Sequence, residues 1–164
     1  MKRQRKPPRL HLSGLNLAAA GAGSLKSAVD VTFIHDDDYE VISHVAGSVW
    51  KVMKKDTGDV LARKEFHNKD KKWGQAAAAA IQCTTLKHTN VVQFMGVSSS
   101  KHSVGLYMEF VAGSSLGTVM HRRRVFPEDS IATICIATLR GLLYLRREAR
   151  LIYRSPLGPT KILI

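Results

Sequence analysis

Residues 39–66 read YEVISHVAGSVWKVMKKDTGDVLARKEF, and they contain the clearest secondary-structure pattern of the sequence. Three runs rich in β-branched and aromatic residues are separated by Ala46-Gly47 and by Asp56-Thr57-Gly58. Short breaks that contain glycine between such runs are typical of β-hairpins. The stretch therefore predicts three consecutive antiparallel strands joined by two tight turns.

The flanking sequence extends this pattern into an ordered series of elements. Residues 71–87, KKWGQAAAAAIQCTTLK, include a run of alanines and predict a helix. Residues 90–111 predict two further strands joined by a serine-rich turn. Pro127 and Glu128 mark the beginning of a second helix that ends at about Arg147. The predicted apolar face of this helix consists of Ile131, Ile134, Leu139, Leu142, Leu143 and Leu145.

The composition is that of a globular protein with an unusual charge. Of the 164 residues, 45% are hydrophobic and 23% are charged, which suits one domain with a sizeable core, yet the formal net charge is +12. The excess of lysine and arginine favours acidic partners: nucleic acid, an anionic membrane surface or an acidic groove on a protein. No apolar run is long enough to span a bilayer. Cys83 and Cys135 are isolated in the sequence and indicate free thiols in a reducing compartment.

Three motifs occur in the order found in the amino-terminal lobe of protein kinases: LARK at 61–64, HTNVVQFMG at 88–96 and YMEF at 107–110. The chain resembles the MAP kinase kinases most closely. The further segments that carry this resemblance are DDDYEVIS at 36–43, YMEFVAGSSL at 107–116 and FPEDSIATICIATLRGLLYLR at 126–146. The resemblance covers Asp36 to the final residue, and it implies a role in ATP-dependent phosphorylation of a MAP kinase within a signalling cascade.

The resemblance also implies an α+β architecture. Residues 38–112 are expected to form a kinase-like lobe and hinge, with a five-stranded antiparallel sheet and one helix. Residues 113–164 are expected to form the first helices of a truncated carboxy-terminal lobe. Residues 1–37 are basic and then rich in glycine, alanine and serine, and are expected to form a disordered tail.

The resemblance places an ATP site on the sheet and at the hinge. Lys64 corresponds to the lysine that contacts the α- and β-phosphates, and Ala62 to the small residue that makes room for adenine. Met108 corresponds to the gatekeeper residue that precedes the hinge. The full set of residues expected to bind the nucleotide is Val45, Val49, Ala62, Lys64, Met108, Glu109, Phe110 and Val111.

Several positions depart from the family pattern. In VAGSVWKV only Gly47 remains of the glycine-rich loop, which looks about four residues shorter than the family form. The glutamate that pairs with the lysine falls on Ala79. In the catalytic loop Arg154 is retained, but the degenerate positions are Ser155 for the aspartate, Gly158 for the lysine and Lys161 for the asparagine that binds Mg²⁺.

These departures predict an inactive kinase. A serine hydroxyl cannot accept the substrate proton at neutral pH, and loss of a general base costs about 10²–10⁴ in rate. A lysine in place of a magnesium ligand repels the cation, and no Asp-Phe-Gly motif follows. We expect weak ATP binding at best, no Mg²⁺ held by this chain and no phosphotransfer by it alone.

The amino terminus contains a second feature, KRQRKPPRLHL at 2–12. MAP kinase kinases are similar here, with a basic cluster followed by apolar-x-apolar that docks on a MAP kinase. Charges steer such encounters, and alternate side chains of an extended peptide fill pockets on one side. Nuclear localisation or nucleic-acid binding is the alternative. The residues expected to dock are Lys2, Arg3, Arg5, Lys6, Leu10 and Leu12.

Three functional hypotheses follow. The chain is an active kinase whose carboxy terminus is incomplete or wrong, a non-catalytic decoy or scaffold for a MAP kinase, or a basic nucleic-acid-binding protein. The expected location is the cytoplasm, with the nucleus as the alternative. A homologous kinase or a chaperone is a further candidate partner, for the apolar face of the 128–147 helix.

Overall fold

The computed structural model describes residues 8–10, 32–67, 86–122, 125–151, 153 and 157–164. The chain divides into two compact units. The sheet unit comprises Leu17–Leu86 and Gln93–Phe110, and the helical unit comprises Met1–Asn16, Lys87–Val92 and Val111–Ile164. The helix predicted over 71–87 lies outside the described residues except for Leu86 and Lys87, which are not helical.

Five antiparallel strands form the sheet unit, as the sequence predicts. Their spatial order is β2-β3-β4-β6-β5. Gly47, in the turn between β2 and β3, has a φ of 54°, a left-handed conformation that glycine adopts without strain. The strand bounds are β2 Tyr39–Ala46, β3 Val49–Lys54, β4 Val60–His67, β5 Phe94–Ser99 and β6 Ser103–Glu109.

β6 is the most completely buried strand because it lies between β4 and β5. Tyr107 is 0% exposed, and Val104, Leu106 and Met108 alternate with it in the buried core. β2, at the edge of the sheet, is exposed along most of its length. A strand with neighbours on both sides and covered faces loses the polar alternation of an edge strand, which explains the apolar sequence of β6.

A polar network fastens the segment before β2 onto the sheet. The hydroxyl of Tyr107 donates to Asp36 Oδ1 at 2.6 Å, and Arg63 Nη2 donates to Asp36 Oδ2 at 3.1 Å. Arg63 also lies 3.5 Å from a carboxylate oxygen of Glu65. Burial, followed by the hydrogen bond to Asp36, raises the pKa of Tyr107 well above its ordinary value. The tyrosine hydroxyl therefore remains a hydrogen-bond donor, and Asp36 acts as an anchor within the acidic run 36–38.

The helical unit contains α1, Leu116–Arg122, and α2, Glu128–Arg147, the latter as predicted. Of the predicted apolar face of α2, Leu145 is buried, Ile134 and Leu142 are half-buried, and Ile131, Leu139 and Leu143 are exposed. The fully buried residues are Ala137, Gly141 and Leu145, whereas Leu139 is 64% exposed. Residues with small side chains allow close approach of other backbone, and a search for large apolar residues does not find such a face.

Tyr144 connects α2 to Lys87 and His88, which lie far from it in sequence. The Tyr144 ring stacks on His88 with 4.7 Å between the ring centroids. Its hydroxyl oxygen accepts a hydrogen bond from the backbone N–H of Lys87 at 3.0 Å. The helix is therefore held to a segment distant in sequence by a ring and a hydroxyl of one side chain.

Two short segments that are far apart in sequence pair in the helical unit. Strand β1, Arg9–Leu10, pairs antiparallel with β7, Ile162–Leu163. Ser114 and Ile164 exchange backbone hydrogen bonds of 3.1 and 3.0 Å. In the sheet unit Phe33 forms a bridge with Val97. Most of residues 1–37 lies outside the described part of the chain, so the expected disordered tail stays a prediction.

No helix in the described part of the chain is both long enough and apolar enough to cross a membrane.

Gly105 in β6 lies beneath two side chains, and this gives a first prediction. A methyl group at this position would lie 2.5 Å from Ser98 Oγ and 2.8 Å from Arg63 Nε. Gly105→Ala should lower the free energy of unfolding by about 1–3 kcal/mol, because the neighbours must move to relieve the overlap. Gly158→Ala is the control, since its nearest atom, Thr160 Oγ1, is 3.9 Å away. Urea unfolding measures both, and equal stability of the two variants would contradict the packing described.

Candidate functional site

Ala62 lies at the centre of one face of the sheet. It pairs with Lys51 of β3 and with Met108 of β6, and two residues later Lys64 pairs with Val49 and Leu106. Directly paired residues, and residues two apart on a strand, project from the same face of a sheet. Ala62 is 8% exposed and Met108 is 3% exposed. The predicted residues Val49, Ala62, Lys64 and Met108 therefore share one face, which we call the Ala62 face.

Two lysines on the Ala62 face lie over aromatic rings. The ammonium group of Lys64 is 5.0 Å from the centroid of the Phe66 ring, and that of Lys51 is 4.8 Å from the centroid of the Phe110 ring. Such cation–π contacts contribute about 0.5–1 kcal/mol at exposed sites. The sequence-based set of site residues does not include Lys51, although its position two residues after Val49 on β3 could have placed it beside Ala62. The face thus combines an apolar centre with two cations.

The turn between β2 and β3 is closed by a side chain. The His44 Nε2 donates a hydrogen bond of 2.7 Å to the carbonyl oxygen of Gly47. The His44 ring also contacts Trp50 edge-on, with 4.8 Å between centroids. The turn itself is only Gly47-Ser48, since β2 ends at Ala46 and β3 begins at Val49. The hairpin tip is therefore held by hydrogen bonding and ring packing on both strands.

This hairpin corrects the length assigned to the glycine-rich loop. The form G-x-G-x-x-G-x-V, counted back from Gly47-Ser48-Val49, places Ile42 and His44 at the two earlier glycines. The prediction of a loop about four residues shorter is therefore wrong, because all eight positions are present at 42–49. What is lost is two glycines, and one of their replacements forms the bond that closes the tip.

The end of β6 is tied to the segment before β5. The backbone N–H of Glu109 donates to the carbonyl oxygen of Gln93 at 2.9 Å, and the N–H of Gln93 donates to Glu109 Oε1 at 2.9 Å. In the helical unit the carbonyl oxygen of Val111 accepts a hydrogen bond from Gly113 at 2.8 Å. Two of the predicted hinge residues, Glu109 and Val111, therefore each form a local backbone hydrogen bond.

The described residues predicted for the site also include Val45, Gly158 and Lys161. Val45 is 50% exposed and lies at a bulge in β2. In the helical unit Gly158 precedes a short 3₁₀ helix, Pro159–Lys161, and the Lys161 N–H donates to the Gly158 carbonyl oxygen at 2.9 Å. The described residues contain no group of three or more histidine, cysteine, aspartate or glutamate side chains that could hold a metal ion.

Several predicted residues lie outside the described part of the chain. They are Lys2, Arg3, Arg5, Lys6, Leu12, Ala79, Arg154 and Ser155. Of the predicted docking residues only Leu10 has a described backbone position, in β1 opposite Ile162. The roles assigned to all these residues stay predictions.

Residues 44–164 match the family model described as the protein kinase domain. The chain belongs to the protein kinase family. A solved structure of Rad53 residues 1–466, in complex with AMP-PNP, superimposes with a TM-score of 0.69 and 24% sequence identity over 77% of this chain and 34% of that chain. Together with the observed sheet order, this confirms the predicted kinase amino-terminal lobe with part of the carboxy-terminal lobe.

Two curated kinases are similar in sequence. The mitogen-activated protein kinase kinase kinase MCK1 of Pyricularia oryzae is 31% identical over 113 residues, which cover 62% of this chain and 7% of that protein. The mitogen-activated protein kinase kinase kinase mkh1 of Cytospora mali is 30% identical over 113 residues, covering 62% and 6%. This kinase chain therefore spans less than a tenth of either relative. Both relatives belong one tier above the MAP kinase kinases, so they support the kinase family but not the predicted subclass.

The hairpin contact of His44 gives a second prediction. His44→Gly restores a glycine of the motif and removes the hydrogen bond to Gly47 and the ring contact with Trp50. Loss of one hydrogen bond of about 1 kcal/mol or more should raise amide hydrogen exchange at 46–49 by about tenfold. His102→Gly, in the exposed turn between β5 and β6, is the matched control. Unchanged exchange in His44→Gly would show that the side chain does not hold the tip.

Proposed function

We propose that this chain is a nucleotide-binding, non-catalytic module of the kinase fold that acts in a MAP kinase cascade. The observation that carries the proposal is the combination, on one unit, of the Ala62 face and a hairpin tip closed by His44. The Ala62 face keeps the groups that a nucleotide base and its α- and β-phosphates require. The closed hairpin tip replaces the flexible glycine-rich loop that must cover the phosphates for phosphoryl transfer.

ATP is the nucleotide that the Ala62 face fits. The small side chain of Ala62 beside the buried Met108 leaves an apolar floor for an adenine ring, and Lys64 supplies a positive charge for the α- and β-phosphates. Lys51 adds a second cation on the same face. The kinase family membership supports this choice, and Rad53, which shares the fold, was solved with AMP-PNP.

The sequence does not keep all the groups that phosphotransfer requires in the family pattern. Transfer depends on positioned phosphates, Mg²⁺ and a carboxylate beside the acceptor hydroxyl. A closed hairpin with His44 at a glycine position cannot bring its backbone amides over a triphosphate. Ser155 and Lys161 replace the base and a magnesium ligand of the family pattern. The chain therefore binds ATP weakly and retains it without transferring phosphate.

Membership of a MAP kinase cascade rests on the two similar MAP kinase kinase kinases. The sequence motifs resemble MAP kinase kinases instead, so the proposal covers two tiers of the cascade, MAP kinase kinase and MAP kinase kinase kinase. Both tiers act on another kinase, which makes a kinase the proposed partner in either case.

Thermal unfolding tests nucleotide binding. ATP at about tenfold above its dissociation constant stabilises the native state by about 1.4 kcal/mol, which corresponds to a rise in Tm of about 3–6 °C. Lys64→Ala should abolish most of the ATP shift but keep the smaller adenosine shift, because only the phosphate contact is lost. Lys101→Ala, an exposed turn residue, is the control. A wild-type Tm that ignores ATP, or a full shift in Lys64→Ala, would contradict the proposal.

A MAP kinase is the partner proposed for the segment 2–12. The supporting observation is that Arg9–Leu10 adopts a β-strand, the extended form in which alternate side chains of a docking peptide reach adjacent pockets. In this chain the same backbone pairs with Ile162–Leu163. Docking through Leu10 would therefore compete with the β1–β7 pair.

Binding to a purified MAP kinase, measured by fluorescence anisotropy, tests the docking segment. Leu10→Ala with Leu12→Ala should weaken binding by about tenfold or more, since two apolar anchors are removed. A matched variant, Leu15→Ala with Leu17→Ala, should bind as the wild type does. Binding that survives the first change but falls steeply with salt would indicate nucleic-acid-like electrostatic association and overturn the docking role.

A further inference from the structure

One side of α2 is apolar and exposed. Ile136 is 49% exposed, Leu139 is 64% exposed and Leu143 is 46% exposed, and Ala132 is exposed one turn earlier. These residues lie on the side of the helix opposite Ala137, Gly141 and Leu145, which are its buried residues. These four residues form one continuous stripe along the helix, and Ile131, which is 50% exposed, lies outside it.

The stripe has the spacing of a coiled-coil seam. Asp129, Ala132, Ile136, Leu139, Leu143 and Arg146 follow one another at alternating intervals of three and four residues. This is the a/d spacing that lets one helix pack along another. We call these six residues the α2 seam. Its four inner positions are apolar and its two ends carry opposite charges.

The α2 seam is complementary to itself when reversed. An antiparallel copy related by a two-fold axis between Ala137 and Thr138 sets Ile136 against Leu139 of the copy, and Ala132 against Leu143 of the copy. The same operation sets Asp129 against Arg146 of the copy. An isologous interface requires this kind of self-complementarity. A parallel copy would instead place like charges together at both ends.

The charged ends are available for such pairing. Asp129 and Arg146 are both exposed, and neither forms an ion pair with another residue in the described ranges. Asp129 lies in the first turn of α2 and Arg146 in the last. Antiparallel helices also bring the positive end of each helix dipole beside the negative end of the other. Charge and dipole therefore favour the same orientation.

We propose that a second copy of this chain docks on the α2 seam, with the two helices antiparallel. Four apolar layers, two of Ile136 with Leu139 and two of Ala132 with Leu143, form the centre of the contact. One helix pair is small, so the dimer belongs to the transient class that buries less than about 1,200 Å². The interface lies on α2 and is independent of the proposed nucleotide role of the Ala62 face.

Sedimentation equilibrium of the full chain over a range of concentrations tests the seam. The wild type should show a reversible monomer–dimer equilibrium. Leu139→Lys should raise the dimer dissociation constant by about tenfold or more, because two ammonium groups would enter apolar layers. Met120→Lys, at a 49% exposed position on α1, should leave it unchanged. A wild-type chain that stays monomeric at every concentration, or a dimer indifferent to Leu139→Lys, would overturn the proposal.

A charge exchange tests the orientation. Asp129→Arg and Arg146→Asp alone should each weaken the dimer about threefold to tenfold, because like charges then face each other at both ends. The double variant Asp129→Arg with Arg146→Asp should recover most of the lost affinity. Circular dichroism of the monomers controls for the effect of these charges on the helix itself. Failure of the double variant to recover affinity while its helix content is intact would contradict antiparallel docking.

Discussion

The pairing of β4 with β6 is the constraint on which the sheet unit depends. The ladder runs without interruption from Leu61–Glu109 to His67–Ser103 and joins segments far apart in sequence. One face of this ladder carries Ala62, Lys64 and Met108. The other carries Arg63 beside Tyr107, which together hold Asp36. A single register thus sets both the candidate nucleotide face and the polar anchor behind it.

A one-residue slip of this ladder would exchange the two faces, because side chains alternate along each strand. Arg63 would then lie where Ala62 lies, and a bulky cation would fill the space proposed for adenine. Gly105 contributes to the same register, since the absence of a side chain leaves room for Arg63 Nε and Ser98 Oγ. The packing that stabilises the lobe and the geometry of its candidate site are therefore not separable.

The hairpin of β2 and β3 keeps the strand pairing of the fold while its sequence departs from the glycine-rich pattern of the family. Strand pairing from Tyr39–Lys54 to Ala46–Val49 preserves the lobe. Replacement of glycines by Ile42 and His44 removes backbone freedom at the positions where a kinase needs it. The hydrogen bond of His44 to Gly47 then stabilises the closed tip. In the function proposed above, adenine recognition needs a shaped apolar floor and tolerates this change, whereas phosphate transfer does not.

The strands and the long helix could be predicted because their signals are local: alternation, glycine at the turns and Pro127 before Glu128. Lys64 could be placed because its neighbours carry a family motif. The hydrogen bond from His44 to Gly47 could not be predicted, because it depends on the shape of the hairpin tip. Nor could the β1–β7 pair, which joins Leu10 to Ile162, or the burial of Ala137 and Gly141, which depends on what packs against α2. These features arise from contacts between distant segments, and composition does not record them.

We have proposed that this kinase-fold chain binds nucleotide without transferring phosphate. The most direct measurement is a phosphotransfer assay with Mg²⁺-ATP labelled at the γ-phosphate, a MAP kinase as acceptor, and Lys64→Ala as the matched control. Wild type and Lys64→Ala should give the same background signal. Phosphorylation of the acceptor by the wild type that disappears in Lys64→Ala would contradict it.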